Sequence, residues 1–298
     1  MSFPGGLRAF YEAIRVGSIR GASEKLELAP SSVSRQIQLL EHEMGAQLFD
    51  RSAAGVVPTH AGRMVAEFAR TVLLDYDSLR SDINERRGVR TGLIRIAAVE
   101  STISERVVSA ITRFRERFPG VNFQLKMLPA PKVIEVIKRG EVDIGVTFCA
   151  PPDTELSFLA RFAEPVVLAI SPSHAWADRS AVALAELKHI PLGMPEPSFG
   201  VRRLFDAALQ AQGLTLQAAL TSDSFEALRG FARQGAGGSI VPRLTIETER
   251  KAGLLKMLTL SDDGLNRTTA DVIALRAREP ARLLRLFIEE MQKVALAA

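Results

Sequence analysis

Apolar positions in the first ninety residues recur at helical intervals, punctuated by short turns. Leu7, Phe10 and Ile14, with Ala13 beside them, share one face of a predicted helix over residues 7–16. Gly17 breaks it, and Ser18 is placed to cap a second short helix, SIRGASEKL, with Ala22 and Leu26 turned inward. After a turn at Glu27–Ala29, Pro30 suits the first turn of a third helix, PSSVSRQIQLLEHEM, which Gly45 ends. Along it Val33, Ile37, Leu40 and Met44 recur at intervals of four, three and four, while Ser31, Ser34, Arg35 and Gln38 fall on another side. Residues 47–58 alternate weakly and turn over at Ala54–Gly55, the pattern of a small hairpin or wing. From Thr59, a helix cap, to about Arg87 there is no proline and only Gly62 inside, which predicts one helix about 40 Å long at ~1.5 Å per residue. Val65, Phe68, Val72, Leu79 and Ile83 line one side of it, with Ala61 and Tyr76 nearby.

The rhythm changes after a glycine-bounded linker, RRGVRTG, at residues 86–92. Strands LIRIAAV (93–99), VNFQLKML (121–128) and VDIGVTF (142–148) alternate with helices over Ser104–Phe118 and Lys132–Arg139. That series predicts a parallel sheet with helices on both faces. PVVLAIS (165–171) reads as a buried strand that crosses into a second lobe. The second lobe then holds IPLGM (190–194), a helix Val201–Gln212, LQAALT (216–221), a helix Phe225–Gln234 and GSIVP (238–242). ADVIALRA (270–277) and an amphipathic helix Pro280–Val294 return to the first lobe. Two crossings between lobes make a hinge and a cleft. The expected fold is therefore α+β and multidomain: a winged helix-turn-helix over 1–58, a linker helix over 59–87 and a two-lobed α/β domain over 88–298. Lobe I takes about 92–164 and 268–298, and lobe II about 165–267.

Three short helices in the first arrangement form a helix-turn-helix whose last helix fits a DNA major groove. Ser31, Ser32, Ser34 and Arg35 give that helix the hydroxyls and guanidinium that reach phosphates and base edges. A plain three-helix bundle with a solvated face is the alternative at this point. The long helix cannot bury its apolar stripe inside so small a module, so a second copy of the chain is its natural cover, with packing within the same chain as the alternative.

Bulk numbers set bounds only. The chain has 298 residues, 47% hydrophobic and 24% charged, enough for two domains with cores of their own. Its net charge of +4 permits anionic partners without demanding them, and residues 1–90 hold 12 Lys or Arg against 11 Asp or Glu. A nucleic-acid argument must rest on where basic side chains sit. The single cysteine, Cys149, excludes an internal disulfide and suits a reducing compartment. It reads as a small packed hydrophobe, with a redox-responsive thiol as the alternative. The start, MSFPGGLRAFYEA, lacks a signal-peptide pattern, and no run of about 18 apolar residues occurs, so a cytoplasmic protein without a membrane partner is expected.

The order SIRGASEKL, PSSVSRQIQLLEHEMGAQLFDR, PTHAGR and a long helix resembles the amino-terminal module of LysR-type transcriptional regulators, continuously over residues 7–87. The resemblance maps Pro30, Ser31, Ser34 and Arg35 to the recognition helix, Arg51 to the wing and Thr59 to the start of the linker helix. The family usually carries a polar residue, often Gln, where Ala29 stands here, so a base contact does not carry over to that position. Arg20 and Gly21 stand where Thr and Arg or Ala are commoner, and Arg20 offers a compensating phosphate contact or a solvated side chain. The DNA-facing candidates are thus Arg20, Pro30, Ser31, Ser32, Ser34, Arg35, Gln38 and Arg51. EVDIGV (141–146) and GAGGSIVP (235–242) resemble the family's effector domain, itself similar to periplasmic solute-binding proteins. That resemblance implies an inverted-repeat double-stranded DNA site, a small-molecule effector, a homodimer through the linker helix and a tetramer of two dimers, with RNA polymerase a further candidate partner.

Ligands in open parallel sheets lie beyond the carboxyl ends of strands. That rule selects Ser101, Thr102, Pro129 and Phe148 from lobe I, and Ser198, Phe199, Thr221 and Ser222 from lobe II. Gly237 would permit close backbone approach. Serine and threonine also cap helices without any ligand, and both phenylalanines suit a core equally well. A small organic anion is the default effector, and an aromatic or apolar compound the alternative. No cofactor, metal or catalysis is expected: the four histidines are scattered, and no phosphate loop or nucleophile elbow occurs. The rival readings are a ligand-independent regulator, a solute-binding receptor, which would need an export signal, and an α/β enzyme, which would need a catalytic constellation.

Overall fold

The computed structural model describes residues 5–52, 55–86, 91–276 and 280–297. The chain forms two compact units, one of residues 1–86 with 277–281 and one of residues 87–276 with 282–298.

In the first unit, α1 (Gly5–Val16), α2 (Ile19–Leu26) and α3 (Pro30–Met44) precede a hairpin of β1 (Phe49–Ser52) and β2 (Gly55–Pro58), and α4 (His60–Arg86) follows. Ala9, Phe10, Ala13, Ala22, Val33, Ile37, Leu40, Leu48 and Phe49 make its core. The Phe10 and Phe49 rings lie 4.8 Å apart and tie the first helix to the hairpin. Ser18 caps α2 by accepting from the Gly21 N–H. Thr59 caps α4 in the same way, accepting from the Gly62 N–H at 2.9 Å and donating to the Gln47 carbonyl at 2.8 Å. Gly62 is there for space, since a Cβ would stand 2.1 Å from the Leu48 carbonyl oxygen. Met44, expected on the apolar stripe of α3, is 48% exposed. The chain turns at Gly45 and brings Leu48 and Phe49 back to fill that end of the core. The expected turn at Ala54–Gly55 and the linker at 86–92 fall partly outside the described residues, at 53–54 and 87–90.

The second unit contains two sheets. Its elements in order are β3 (Gly92–Ala98), α5 (Glu100–Thr102), a π-helical turn (Ile103–Val108), α6 (Ser109–Arg117), β4 (Val121–Met127), α7 (Ala130–Lys138), β5 (Ile144–Phe148) and β6 (Leu156–Ala163). Lobe II follows with β7 (Val166–Ile170), β8 (Ala181–Val182), β9 (Leu192–Pro195), α8 (Gly200–Ala211), β10 (Leu220–Ser222), α9 (Phe225–Arg233), β11 (Gly238–Pro242), α10 (Glu247–Lys251), β12 (Lys256–Leu260) and α11 (Asp263–Asn266). The chain returns to lobe I through β13 (Thr269–Leu275) and α12 (Arg282–Ala297).

The lobe I sheet runs β4-β3-β5-β13-β6, and the lobe II sheet runs β10-β9-β11-β7-β12-β8. β3 pairs parallel with β4 and β5, the series expected to be parallel, but neither sheet is wholly so. β13 pairs antiparallel with β5 and β6, and β7 pairs antiparallel with β11 and β12. The reason is the double crossing: a strand that re-enters a sheet from the other lobe arrives from the opposite direction. β6, β8 and β12 escape the hydrophobic pattern because they lie at or beside sheet edges, where exposed positions dilute it. The first helix of lobe I begins at Glu100 rather than Ser104, and LQAALT contributes only its last residues to β10.

The crossings are joined by a buried carboxylate. Glu164, fully buried just after β6, donates its N–H to the Thr268 carbonyl at 2.9 Å and accepts the Thr268 hydroxyl at 2.6 Å on its own carbonyl, so the outgoing and returning segments are stitched together. Its Oε1 accepts the Leu244 N–H from lobe II at 2.7 Å, and its Oε2 lies 3.5 Å from Nη2 of Arg106 in lobe I. Arg106 is itself buried and stacks over the Phe162 ring at 4.2 Å. Burial raises the Glu164 pKa to about 7, although the Leu244 N–H, Arg106 and Arg243 all favour its charged form. A carboxyl with a folded pKa near 7 and an ordinary value of 4.5 holds its proton longer in the folded chain than in the unfolded one. Its contribution to stability is complete below 4.5 and is lost as pH rises towards 7. In denaturant titrations, Glu164→Gln should therefore gain on the parent chain, by an amount on the order of 3 kcal/mol, as pH rises through that window. Parallel stability curves for the two proteins would refute this.

Candidate functional site

The exposed edge of α3 begins at an open helix end. Ala29, in the capping position, offers no side-chain bond to the first amides, and Pro30 occupies the first turn. Pro30 has no N–H, and the Ser32 and Val33 amides close on the Ala29 carbonyl at 2.9 and 3.2 Å, so it is the positive end of the helix dipole that this edge offers to an anion. Pro30, Ser31, Ser32, Arg35 and Gln38 are exposed along this edge, and Ser34 is half-buried. Arg20 is exposed on α2, 3.5 Å from Glu24. Arg51 is on β1, but its side chain lies outside the described residues. Glu41 holds this face against the hairpin: its Oε1 accepts the Leu48 N–H at 2.8 Å and lies 3.4 Å from that of Phe49.

The long helix keeps an apolar stripe uncovered. Met64, Phe68 and Leu79 are 64%, 58% and 57% exposed, and Val72, between them, is half-buried. Val65, expected on the same seam, leans into the core of its own unit instead, because the first turns of α4 pack against α1. The Ile83 side chain lies outside the described residues.

In the second unit a cavity of about 320 Å³ opens between the lobes. Ser101, Pro129, Phe148, Ser198 and Phe199 line it, as the strand-end rule selects. Four expected residues do not. Thr102 is fully buried and donates its hydroxyl to the Val99 carbonyl at 3.0 Å. Thr221 is exposed on β10, away from the lining. Ser222 accepts the Ser224 N–H on its hydroxyl and the Glu196 N–H on its carbonyl, which shapes the loop instead. At Gly237 a Cβ would lie 2.2 Å from the Pro191 carbonyl, so the close approach there is to the chain's own backbone.

The expected residues, hydroxyls, aromatic rings, a proline and a glycine, leave out the charge of this cavity. Glu100, Glu196 and Asp223 all line it, each immediately beyond a strand, and no Lys, Arg or His does. The anion expected as default effector would meet like charge. Glu100 also bridges the lobes, its Oε1 accepting the Phe225 N–H at the start of α9 at 3.1 Å. Burial pushes the Glu100 pKa up, opposed by the amides of Phe225 and Glu226 and by Arg229, and nearby Asp223 adds to the rise. A second bridge runs from the Thr248 hydroxyl to Glu105. Cys149 lies at the end of β5, outside the lining, and burial raises its thiol pKa, which disfavours a reactive thiolate. Among the described residues there is no cluster of metal-ligating side chains and no helix long and apolar enough to cross a membrane.

Residues 5–63 match the model of the bacterial regulatory helix-turn-helix proteins of the lysR family, and residues 87–296 match the LysR substrate binding domain. The RuBisCO operon transcriptional regulator of Allochromatium vinosum is 29% identical over 87% of this chain and 84% of its own. The DNA-binding transcriptional dual regulator OxyR of Escherichia coli is 26% identical over 78% of this chain and 76% of its own. In fold, the chain is similar to a full-length OxyR variant from Pseudomonas aeruginosa, with a TM-score of 0.73 at 16% identity over 97% of each chain. It is also similar to full-length CbnR complexed with its target DNA, with a TM-score of 0.56 at 22% identity over 99% of this chain and 100% of that one.

The Glu41 bonds carry a direct expectation. Glu41→Ala leaves two hairpin amides without their acceptor, so hydrogen exchange at Leu48 should quicken by about tenfold or more. Unchanged protection at that amide would show the hairpin to be held by other means.

Proposed function

The chain belongs to the LysR family of bacterial transcriptional regulators, and from that premise we propose how its residues bind DNA and sense a ligand. It is a DNA-binding regulator. The α3 edge enters the major groove, where Ser31, Ser32, Ser34, Arg35 and Gln38 meet phosphates and base edges near the positive end of the helix dipole. Arg20 and Arg51 add backbone contacts from α2 and the wing. The observation that carries this reading is the combination at the start of α3: an uncapped helix end with exposed Ser31, Ser32, Arg35 and Gln38 beside it.

Residues 1–58 act as the DNA module, 59–87 as the linker and 88–298 as the effector domain. Met64, Phe68, Val72 and Leu79 of one copy pack on those of another, so that two modules meet the two halves of an inverted repeat. Further pairing of dimers gives a tetramer, and RNA polymerase is the partner through which the regulator acts. The cavity between the lobes holds a small-molecule effector, whose binding changes the angle between them. A ligand achieves this only by preferring one arrangement, and a ~100-fold preference supplies about 2.7 kcal/mol. The protein works in the cytoplasm and acts by binding rather than by catalysis, a reading supported by its similarity to transcriptional regulators.

The test is a gel-shift titration of the full chain against the DNA upstream of its own gene and its divergent neighbour, repeated at several salt concentrations. Binding should be sequence-selective and fall steeply with salt. Arg35→Ala should weaken it by roughly 1–3 kcal/mol while the fold is retained, and an unchanged affinity would remove Arg35 from the interface. Phe68→Glu with Leu79→Glu should shift sedimentation towards the monomer. If the double variant keeps the parent's mass in solution, α4 is not the dimer seam.

A further inference from the structure

We propose that the cavity between the lobes takes a small organic cation, an ammonium or amidinium on an apolar body, seated against Glu196, Asp223 and the Ser101 hydroxyl. The inference rests on reading the cavity as the effector site, and adds the charge and shape of what fills it.

Three observations converge. The first is charge. The lining holds three carboxylates and no basic side chain. Beside the lining, Arg203 donates to the Ser198 carbonyl at 2.6 Å, and Arg202 pairs with Asp206 at 2.8 Å. Glu100 has its own partners in the Phe225 N–H and the field of Arg229. Glu196 and Asp223 have no hydrogen bond or ion pair to any side chain among the described residues, and Asp223 repels Glu100. An anion entering here would meet three carboxylates, set against Arg203 and the field of Arg229, whereas a cation relieves the repulsion between Asp223 and Glu100.

The second observation is an unspent hydroxyl. Ser101 is 7% exposed, lines the cavity and has no hydrogen-bond partner among the described residues. Its neighbour Thr102 shows the usual resolution, with its hydroxyl bound to a backbone carbonyl. Its oxygen opens onto the cavity rather than being sealed in the core, so Ser101 is free to accept from a donor that arrives with the ligand. An N–H of an ammonium supplies one.

The third is the wall. Met127, Phe148, Phe199 and Phe225 give the cavity apolar sides, and the Phe199 and Phe225 rings meet edge to face at 5.5 Å. Such faces bury a hydrocarbon or aromatic body and attract a cation above a ring. Carboxylates at one part of the lining and aromatic rings at another define a ligand with a positive head and an apolar tail.

The experiment is isothermal titration of the full-length protein, at neutral pH and moderate salt, with three probes of one shape: 2-phenylethylammonium, 2-phenylethanol and phenylacetate. The ammonium should bind about tenfold or more tightly than either of the others. Glu196→Gln with Asp223→Asn should erase that advantage without changing the affinity of the alcohol, and Ala130→Trp, which fills the cavity mouth, should abolish binding of all three. Tighter binding of phenylacetate, lost in the Trp variant, would overturn the cation while leaving the effector cavity standing. Ammonium binding indifferent to all three substitutions would move it out of the cavity and overturn both. Absence of saturable heat from every probe would overturn the proposal, and the DNA titration above judges the regulator reading separately.

Discussion

The architecture of the larger unit depends on one expensive arrangement: a carboxylate sealed from water where the chain passes between lobes. Glu164 fastens the outgoing strand to the returning segment, takes an amide from lobe II and faces a buried arginine from lobe I. A group so buried is stabilising only if its partners stay in place, because an unpaired charge there would be far costlier than the pair is favourable. The crossing is therefore a fixed point about which the lobes are organised. The cavity, with its bridging contacts from Glu100 and Glu105, lies along the same division between lobes.

Much of this was legible in the residues because strong local signals agreed with burial. Ser18 and Thr59 announced helix starts that the structure forms, and Pro30 and Gly45 bracketed α3. Continuous apolar runs such as VVLAI gave central strands that are buried on both faces. What escaped was set by tertiary context. Strands such as β6 and β12 alternate poorly because one side is partly open, and the sense of β13 and β7 comes from crossings that no local pattern encodes. Val65 was counted with the stripe of α4 although it serves the module beneath, since a helical repeat does not say which neighbour each position meets.

The cavity shows a different kind of blindness. The rule that ligands sit beyond strand ends selects loops that line the cavity, but residue types chosen as hydroxyl, aromatic, proline or glycine leave out the carboxylates beside them. Ser101 and Thr102 are adjacent in sequence and chemically alike, but a turn of the backbone gives one to the cavity and the other to a carbonyl of its own chain. Glu100, Glu196 and Asp223, each within two residues of a strand end, line the same cavity.

The wide turn at Ile103–Val108 has a consequence for how the two lobes are held in step. Glu100 touches lobe II before this turn, and Arg106, within it, reaches the buried carboxylate at the crossing. A π-helical turn carries about one residue more than an α-helical turn, and each residue of winding turns the following side chains by about 100°. Rewinding this segment as ordinary α-helix would swing Arg106 off Glu164 while Glu100 kept its hold. The irregularity is thus a phase adjuster between two anchor points, and the spacing from Glu100 to Arg106 tolerates neither an inserted nor a deleted residue.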